Sequence, residues 1–369
     1  MCGFSMIRWG LGFLFLFCCT VLRAEENPIQ AHIYVDLASI PTLAQMTDVV
    51  RQPVGDPKLI IWKRIKALPP ESPVLKQMNA QMIDATYLGE QNYELFSDLA
   101  AEKIQAFYQE FPGAVFHIHL NASHVERSGR VFEIIPDSQI AVVYLYEDAL
   151  GRGLWDRRMQ TVFEKLGQHG RVIFYLGFWD PDILSVPKEA IRLLSFPKLA
   201  AGLSDEQRYA VAELAGLDLT EIVGVFDRRP VAVFVDDPNL KSAEADRFLA
   251  KIMADPKVRR YTWIYKNHPR SSYPRKAVGL FPKYGVEPIV LNNKIPLETL
   301  MVAGYTPDYV AGYGSSVFYA FAHDQILGYI RRKKLEKYEE PLLKQGILTP
   351  DLVYDLNLAS PPDPQPVTN

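Results

Sequence analysis

The stretch Ile140-Ala141-Val142-Val143-Tyr144-Leu145-Tyr146-Glu147-Asp148-Ala149 decides the fold class. A β-rich apolar run stops abruptly on two acids, the pattern of a strand buried on both faces that delivers polar groups at its carboxyl end. Outward from it, similar short runs recur at 32–37, 59–62, 115–120 and 172–178, with helical patterns at 41–51, 95–111 and 154–166. After Arg228-Arg229-Pro230 a second series begins, with strands expected at 231–235, 261–266, 288–291 and 309–311 and helices at 243–254, 297–303 and 316–322. Alternating strands and helices imply parallel sheets covered by helices. Two such series predict an α/β protein of two Rossmann-like domains, 25–225 and 226–335, facing each other across a cleft. The Lys- and Glu-rich segment 336–359 is read as helices returning to the first domain. The Pro-rich tail 360–369 is read as a disordered segment without regular structure.

The chain has 369 residues, 40 Lys and Arg against 43 Asp and Glu, and a net charge of -3, with 48% hydrophobic residues. This composition excludes a disordered or collagen-like chain and a polytopic membrane protein, and its slight acidity argues against nucleic acid as a partner. Arg8 precedes an apolar run from Trp9 to Leu22, followed by Arg23 and Ala24. That run is shorter than the roughly 20 residues of a spanning helix. Residues 1–24 are therefore expected to be a signal peptide cut after Ala24, with an uncleaved anchor as the alternative. Either places the protein at the cell envelope, exported or membrane-anchored. Cys2, Cys18 and Cys19 all fall in this segment, so the remainder has no disulfide, thiolate nucleophile or cysteine metal ligand.

In open α/β sheets ligands bind at the carboxyl ends of strands, and four strand ends carry suitable chemistry. Glu147 and Asp148 offer a carboxylate that can take a proton from a hydroxyl, or are merely turn acids. Lys266-Asn267-His268-Pro269-Arg270 holds a histidine in an extended loop among cations, suited to an anionic ligand, although an ordinary solvated basic loop reads the same way. Ala311-Gly312-Tyr313-Gly314-Ser315-Ser316 lets backbone approach a phosphate at an expected helix N-terminus, and Ser is also a common helix cap. His117, His119 and His124 could be imagined as a zinc site, but no acidic or cysteine ligand accompanies them at a fitting spacing, so no metal is assigned.

In this order and spacing the segments resemble the bacterial sialyltransferases of glycosyltransferase family 80, two-domain enzymes of the GT-B fold. The resemblance runs from Ile33-Tyr34-Val35-Asp36-Leu37-Ala38-Ser39 through His119-Leu120-Asn121, Tyr146-Glu147-Asp148 and Lys266-Asn267-His268-Pro269-Arg270. It continues through Pro296-Leu297-Glu298-Thr299-Leu300 and Gly314-Ser315-Ser316 to Leu343-Lys344-Gln345-Gly346-Ile347. It implies an inverting transfer of sialic acid from CMP-sialic acid to a galactoside-type acceptor glycan by a monomer, with no cofactor and no divalent metal. Carried over residue by residue, it makes Asp148 the general base, and strand alternation turns its neighbour Glu147 to the opposite face. His268 is the group that meets the departing phosphate, Ser315 and Ser316 bind that phosphate, and Glu298 holds the ribose. Lys266 and Pro269 are placed at the cytosine, and Ser39 and His119 at the donor side of the first domain. Ala149 replaces a family glycine, and Val235-Asp236-Asp237-Pro238-Asn239 lacks the family's acceptor-stacking Trp. A CMP-dependent transferase of another acidic sugar, such as Kdo, and a non-catalytic GT-B binding protein are the neighbouring readings.

Overall fold

The computed structural model describes residues 28–89, 92–128, 130–147, 171–176, 188–193, 199–236, 242–267, 277–291, 296–331 and 336–355. The leader, the expected helix at 154–166 and the tail 360–369 lie outside the described residues. Among the described residues, no helix is long and apolar enough to cross a membrane.

Two parallel sheets organise the chain. The first has seven strands in the order β3-β2-β1-β4-β5-β6-β7. They are β1 (Gln30–Asp36), β2 (Lys58–Trp62), β3 (Ala80–Asp84), β4 (Val115–Asn121), β5 (Ile140–Tyr146), β6 (Val172–Leu176) and β7 (Ile191–Leu193). The second has six, in the order β10-β9-β8-β11-β12-β13. They are β8 (Val231–Val235), β9 (Thr262–Lys266), β10 (Ile289–Leu291), β11 (Tyr309–Tyr313), β12 (Ile326–Arg331) and β13 (Val353–Asp355). Each sheet winds one way and then the other, so each has a switch point, β1/β4 in the first and β8/β11 in the second. Crevices open at such points because successive connections leave in opposite directions.

Side chains alternate across a strand, and the first sheet uses that alternation to make two unlike faces. Ile33 and Val35, Ile118 and Leu120, and Val143 and Leu145 join an aliphatic core against Phe96, Ile104 and Phe107 of α2 (Tyr93–Glu110). The intervening residues, His32 and Tyr34, His117 and His119, and Tyr144 and Tyr146, share the other face, as their strand register requires. That face lies beside α1 (Ser39–Val49), which brings Leu43, Met46 and Val49 to a core with Tyr34, Ile60 and Trp62. In the second sheet Val231, Val233 and Val310 face one core and Ala232, Phe234 and Trp263 the other. There α5 (Ser242–Ile252) contributes Ala245, Phe248 and Leu249.

The linking helices hold the halves together. In α3 (Asp205–Leu214), Ser204 and Gln207 form a reciprocal capping box, which satisfies two amides that a helix start leaves bare. Val211 and Leu214 of α3 pack with Met46 of the first half and with Val302 of α6 (Leu297–Val302) in the second. Next, α4 (Leu219–Phe226) carries Ile222, Val225 and Phe226 into the second core.

Two expectations meet a different arrangement. The segment after 336 forms α7 (Glu336–Lys344) and then strand β13, not two helices. Leu342 and Leu348 pack into the second core and β13 pairs with β12, so residues 336–355 stay with the second sheet. Apolar Leu342 and Leu348 find their complement there, and Arg331 ties the segment down by bonding Glu339 and Asp355. The helix expected at 316–322 is a five-residue 3-10 turn, Ser316–Ala320.

Candidate functional site

At the first switch point, the carboxyl ends of β1 and β4 meet through their side chains. Asn121 Nδ2 donates to Asp36 Oδ1 at 3.2 Å, and the Ala38 amide donates to the same oxygen at 2.7 Å. Gln45 of α1 donates to Asp36 Oδ2 at 3.3 Å and accepts from the Trp62 indole at 2.7 Å. Asp36 and Asn121 are buried, and a buried carboxylate held by several donors makes a fixed floor for a polar crevice. Beyond β2, Lys63 lies 4.4 Å over the Tyr93 ring, which Arg127 also approaches at 4.2 Å. Sequence reading passed over Asp36, Lys63, Tyr93 and Arg127 as site residues because they come together only through strand order.

At the second switch point, β8 and β11 approach closely because Gly312 has no side chain. Its φ is +124°, and an added Cβ would sit within 3 Å of the Val235 amide nitrogen, at 2.8 Å. Beside it, the Tyr265 hydroxyl donates to buried Asp236. Ser315 caps the 3-10 turn, its hydroxyl accepting from the Val317 amide at 3.5 Å. A turn this short has little macrodipole, so anion binding here would rest on hydroxyls and local amides.

Next to this crevice, Lys266 ends β9 and Glu298 opens α6, both buried. Lys266 Nζ donates to the Asn267 carbonyl at 2.8 Å. Burial lowers the ammonium to about 8, and the charge of Glu298 pulls it back up. A buried lysine beside a carboxylate is a cation with adjustable charge near neutral pH.

Glu147 of the first half and Tyr319 of the second are electrostatically coupled. Glu147 directly follows β5 and is 0% exposed. Its charge reaches Tyr319 in the turn that Ser315 caps, and adds to the burial that pushes the phenol up. One sheet's strand-end acid thus lies within electrostatic reach of the other sheet's Ser315-Ser316 turn.

The structure brings Glu298, Lys266 and Ser315 to one side and Glu147 to the other. His119 is 0% exposed, beneath the strand ends, with its ring 4.1 Å from that of Tyr34 and 4.5 Å from that of Tyr144. Burial lowers the pKa of this ring well below the usual histidine value. Asp148, His268 and Pro269 lie outside the described residues, as do the side chains of Ser39 and Ser316.

No family model matches the chain, and no curated protein matches its sequence. Solved structures do match its fold. An α/β-galactoside α-2,3-sialyltransferase from the luminous marine bacterium Photobacterium phosphoreum aligns with a TM-score of 0.66 at 15% identity, over 89% of this chain and 99% of that one. A Photobacterium 2,6-sialyltransferase, solved in a ternary complex with donor product CMP and acceptor substrate lactose, aligns at 0.60 and 15% identity, over 89% of this chain and 78% of that one. The GT-B domain of a Photobacterium damselae sialyltransferase aligns at 0.64 and 14% identity, over 89% of this chain and 100% of that one. The chain has the GT-B fold.

Proposed function

We propose that this protein is an inverting glycosyltransferase that moves sialic acid from CMP-sialic acid to a galactoside-type acceptor. The observation that carries the reading is the GT-B arrangement of two parallel sheets, with the acid pair following β5 of the first and Lys266, Glu298 and Ser315 gathered at the second. A single displacement at an anomeric carbon needs this arrangement: a base for the attacking hydroxyl on one side and a site for the leaving phosphate on the other. The GT-B likeness and the order of motifs along the chain support it.

In this mechanism Asp148 takes the acceptor proton as the hydroxyl oxygen bonds to the anomeric carbon, its neighbour Glu147 being buried directly after β5. CMP leaves with the bonding electrons, His268 meets its phosphate, and Ser315 and Ser316 hold the phosphate oxygens. Glu298 holds the ribose hydroxyls beside Lys266. The transfer is proposed to need no divalent metal, since a monophosphate ester can be balanced by these groups. CMP release from CMP-Neu5Ac, measured with and without lactose, tests the reading. Lactose-dependent release of CMP with sialyllactose formed supports it. Release with another CMP-activated acidic sugar alone would reassign the donor, and no release with any donor would reduce the protein to a binding protein.

Two variants test individual roles. His268→Ala should lower kcat by at least about tenfold with little change in donor KM, because charge on the leaving phosphate develops in the transition state. Activity within a few-fold of wild type would mean that another group meets the phosphate. Glu298→Gln should raise donor KM while leaving measurable turnover, since ribose contacts persist from ground to transition state. It should also move the alkaline limb of the kcat/KM profile to lower pH. Glu298 raises the Lys266 pKa, so losing its charge deprotonates the lysine earlier than about 8. An unmoved limb would remove Lys266 from the donor site.

A further inference from the structure

The polar face of the first sheet places His32, His119 and Asp48 together beneath α1. One ring nitrogen of each histidine and one carboxylate oxygen of Asp48 lie within 4.8 Å of one another. The residues come from β1, β4 and α1, up to 87 positions apart, so nothing in local spacing reveals them. Both histidines are buried, at 3% and 0% exposure.

His32 Nε2 lies 3.7 Å from Asp56 Oδ2, and His119 Nδ1 lies 3.4 Å from Asp48 Oδ2 and 3.0 Å from the Tyr146 hydroxyl. The inner nitrogens, His32 Nδ1 and His119 Nε2, face each other at 3.4 Å. That is long for a hydrogen bond. It is close to the ~3.3 Å between two nitrogens that bind one tetrahedral ion at about 2.0–2.1 Å.

We propose that His32, His119 and Asp48 form a binding site for a divalent transition-metal ion, with zinc the ion its two-imidazole, one-carboxylate donor set favours. Asp56 behind His32 is the outer carboxylate that metal-bound histidines commonly engage. The ion would join α1 to β1 and β4 as a structural clasp beneath the cleft, and the proposed transfer chemistry does not pass through it. The acidic ligand that sequence spacing did not offer to His119 is supplied from α1.

The test uses the full-length protein, dialysed against EDTA and then into chelator-free buffer, titrated with Zn²⁺ and separately with Co²⁺. About one equivalent of Zn²⁺ per chain should bind and raise Tm, and Co²⁺ should give the visible bands of a four-coordinate ion. His32→Gln, His119→Gln and Asp48→Asn should each abolish the cobalt bands, with far-UV circular dichroism confirming the fold. Asp56→Asn alters a half-exposed residue that is not a ligand, so it tests the site even if the ligand variants misfold. It should weaken Zn²⁺ binding by about 10- to 100-fold. His323→Gln, at an exposed histidine elsewhere, should change nothing. Folded wild-type protein that shows no cobalt bands, or bands lost equally in His323→Gln, overturns the site; so does unchanged Zn²⁺ affinity in Asp56→Asn.

Discussion

Asp148→Asn should lower kcat by about 10²- to 10⁴-fold, the usual contribution of a general base, while CMP still binds and Tm changes little. Asparagine keeps the shape of the side chain and loses only its basicity. Glu147, fully buried at the end of β5, is the comparison. Glu147→Gln should lose much less, because consecutive residues at a strand end point to opposite faces and only one can address the cleft. Single-turnover rates with CMP-sialic acid and lactose, measured for both variants, decide the matter. Should Glu147 prove essential and Asp148 dispensable, the base is the other member of the acid pair. Should neither matter, the transfer mechanism must be abandoned even if CMP binds.

Gly312→Ala should destabilise the protein by about 2–6 kcal/mol, combining strain from a disallowed backbone region with overpacking. At φ +124° an L side chain is strained, and its Cβ would collide with the carbonyl and amide of Val235. Both neighbours are central strands, β8 and β11, so neither backbone can move aside cheaply. Against a typical total stability of about 5–15 kcal/mol this is a large fraction, and the urea midpoint should fall accordingly. Gly279→Ala is the control: nothing lies within 4 Å of its added Cβ and its φ is ordinary, so its effect should stay within about 0.5 kcal/mol. Equal midpoints for the two variants would mean that β8 and β11 are not in this close contact.

The strands that form the sheet centres were legible in the sequence because burial on both faces writes an uninterrupted apolar run. β5 lies at the expected 140–146, and β1, β2, β4, β8 and β9 fall within one or two residues of expectation. From those runs alone followed two parallel sheets, polar groups at the strand ends, and the choice of Lys266 and Ser315, whereas Glu298, in a helix, was named only through the family resemblance. Edge strands wrote no such signal. β3 reads Ala80-Gln81-Met82-Ile83-Asp84, with exposed and half-buried positions mixed, and β13 is three half-buried residues. Their pairing partners, not their own composition, make them strands.

Two outcomes belonged to tertiary structure alone. Segment 336–355 stays with the second sheet because its complementary apolar surface and the partners of Arg331 lie there, and helical pattern says nothing about which core a helix will meet. The meeting of His32, His119 and Asp48 depends on the β1/β4 register and on α1 crossing above it. Sequence determined which residues share a face of their own strand, since that needs only a period of two. Which faces then come together is set by strand order and helix docking, whose energies come from contacts far apart along the chain.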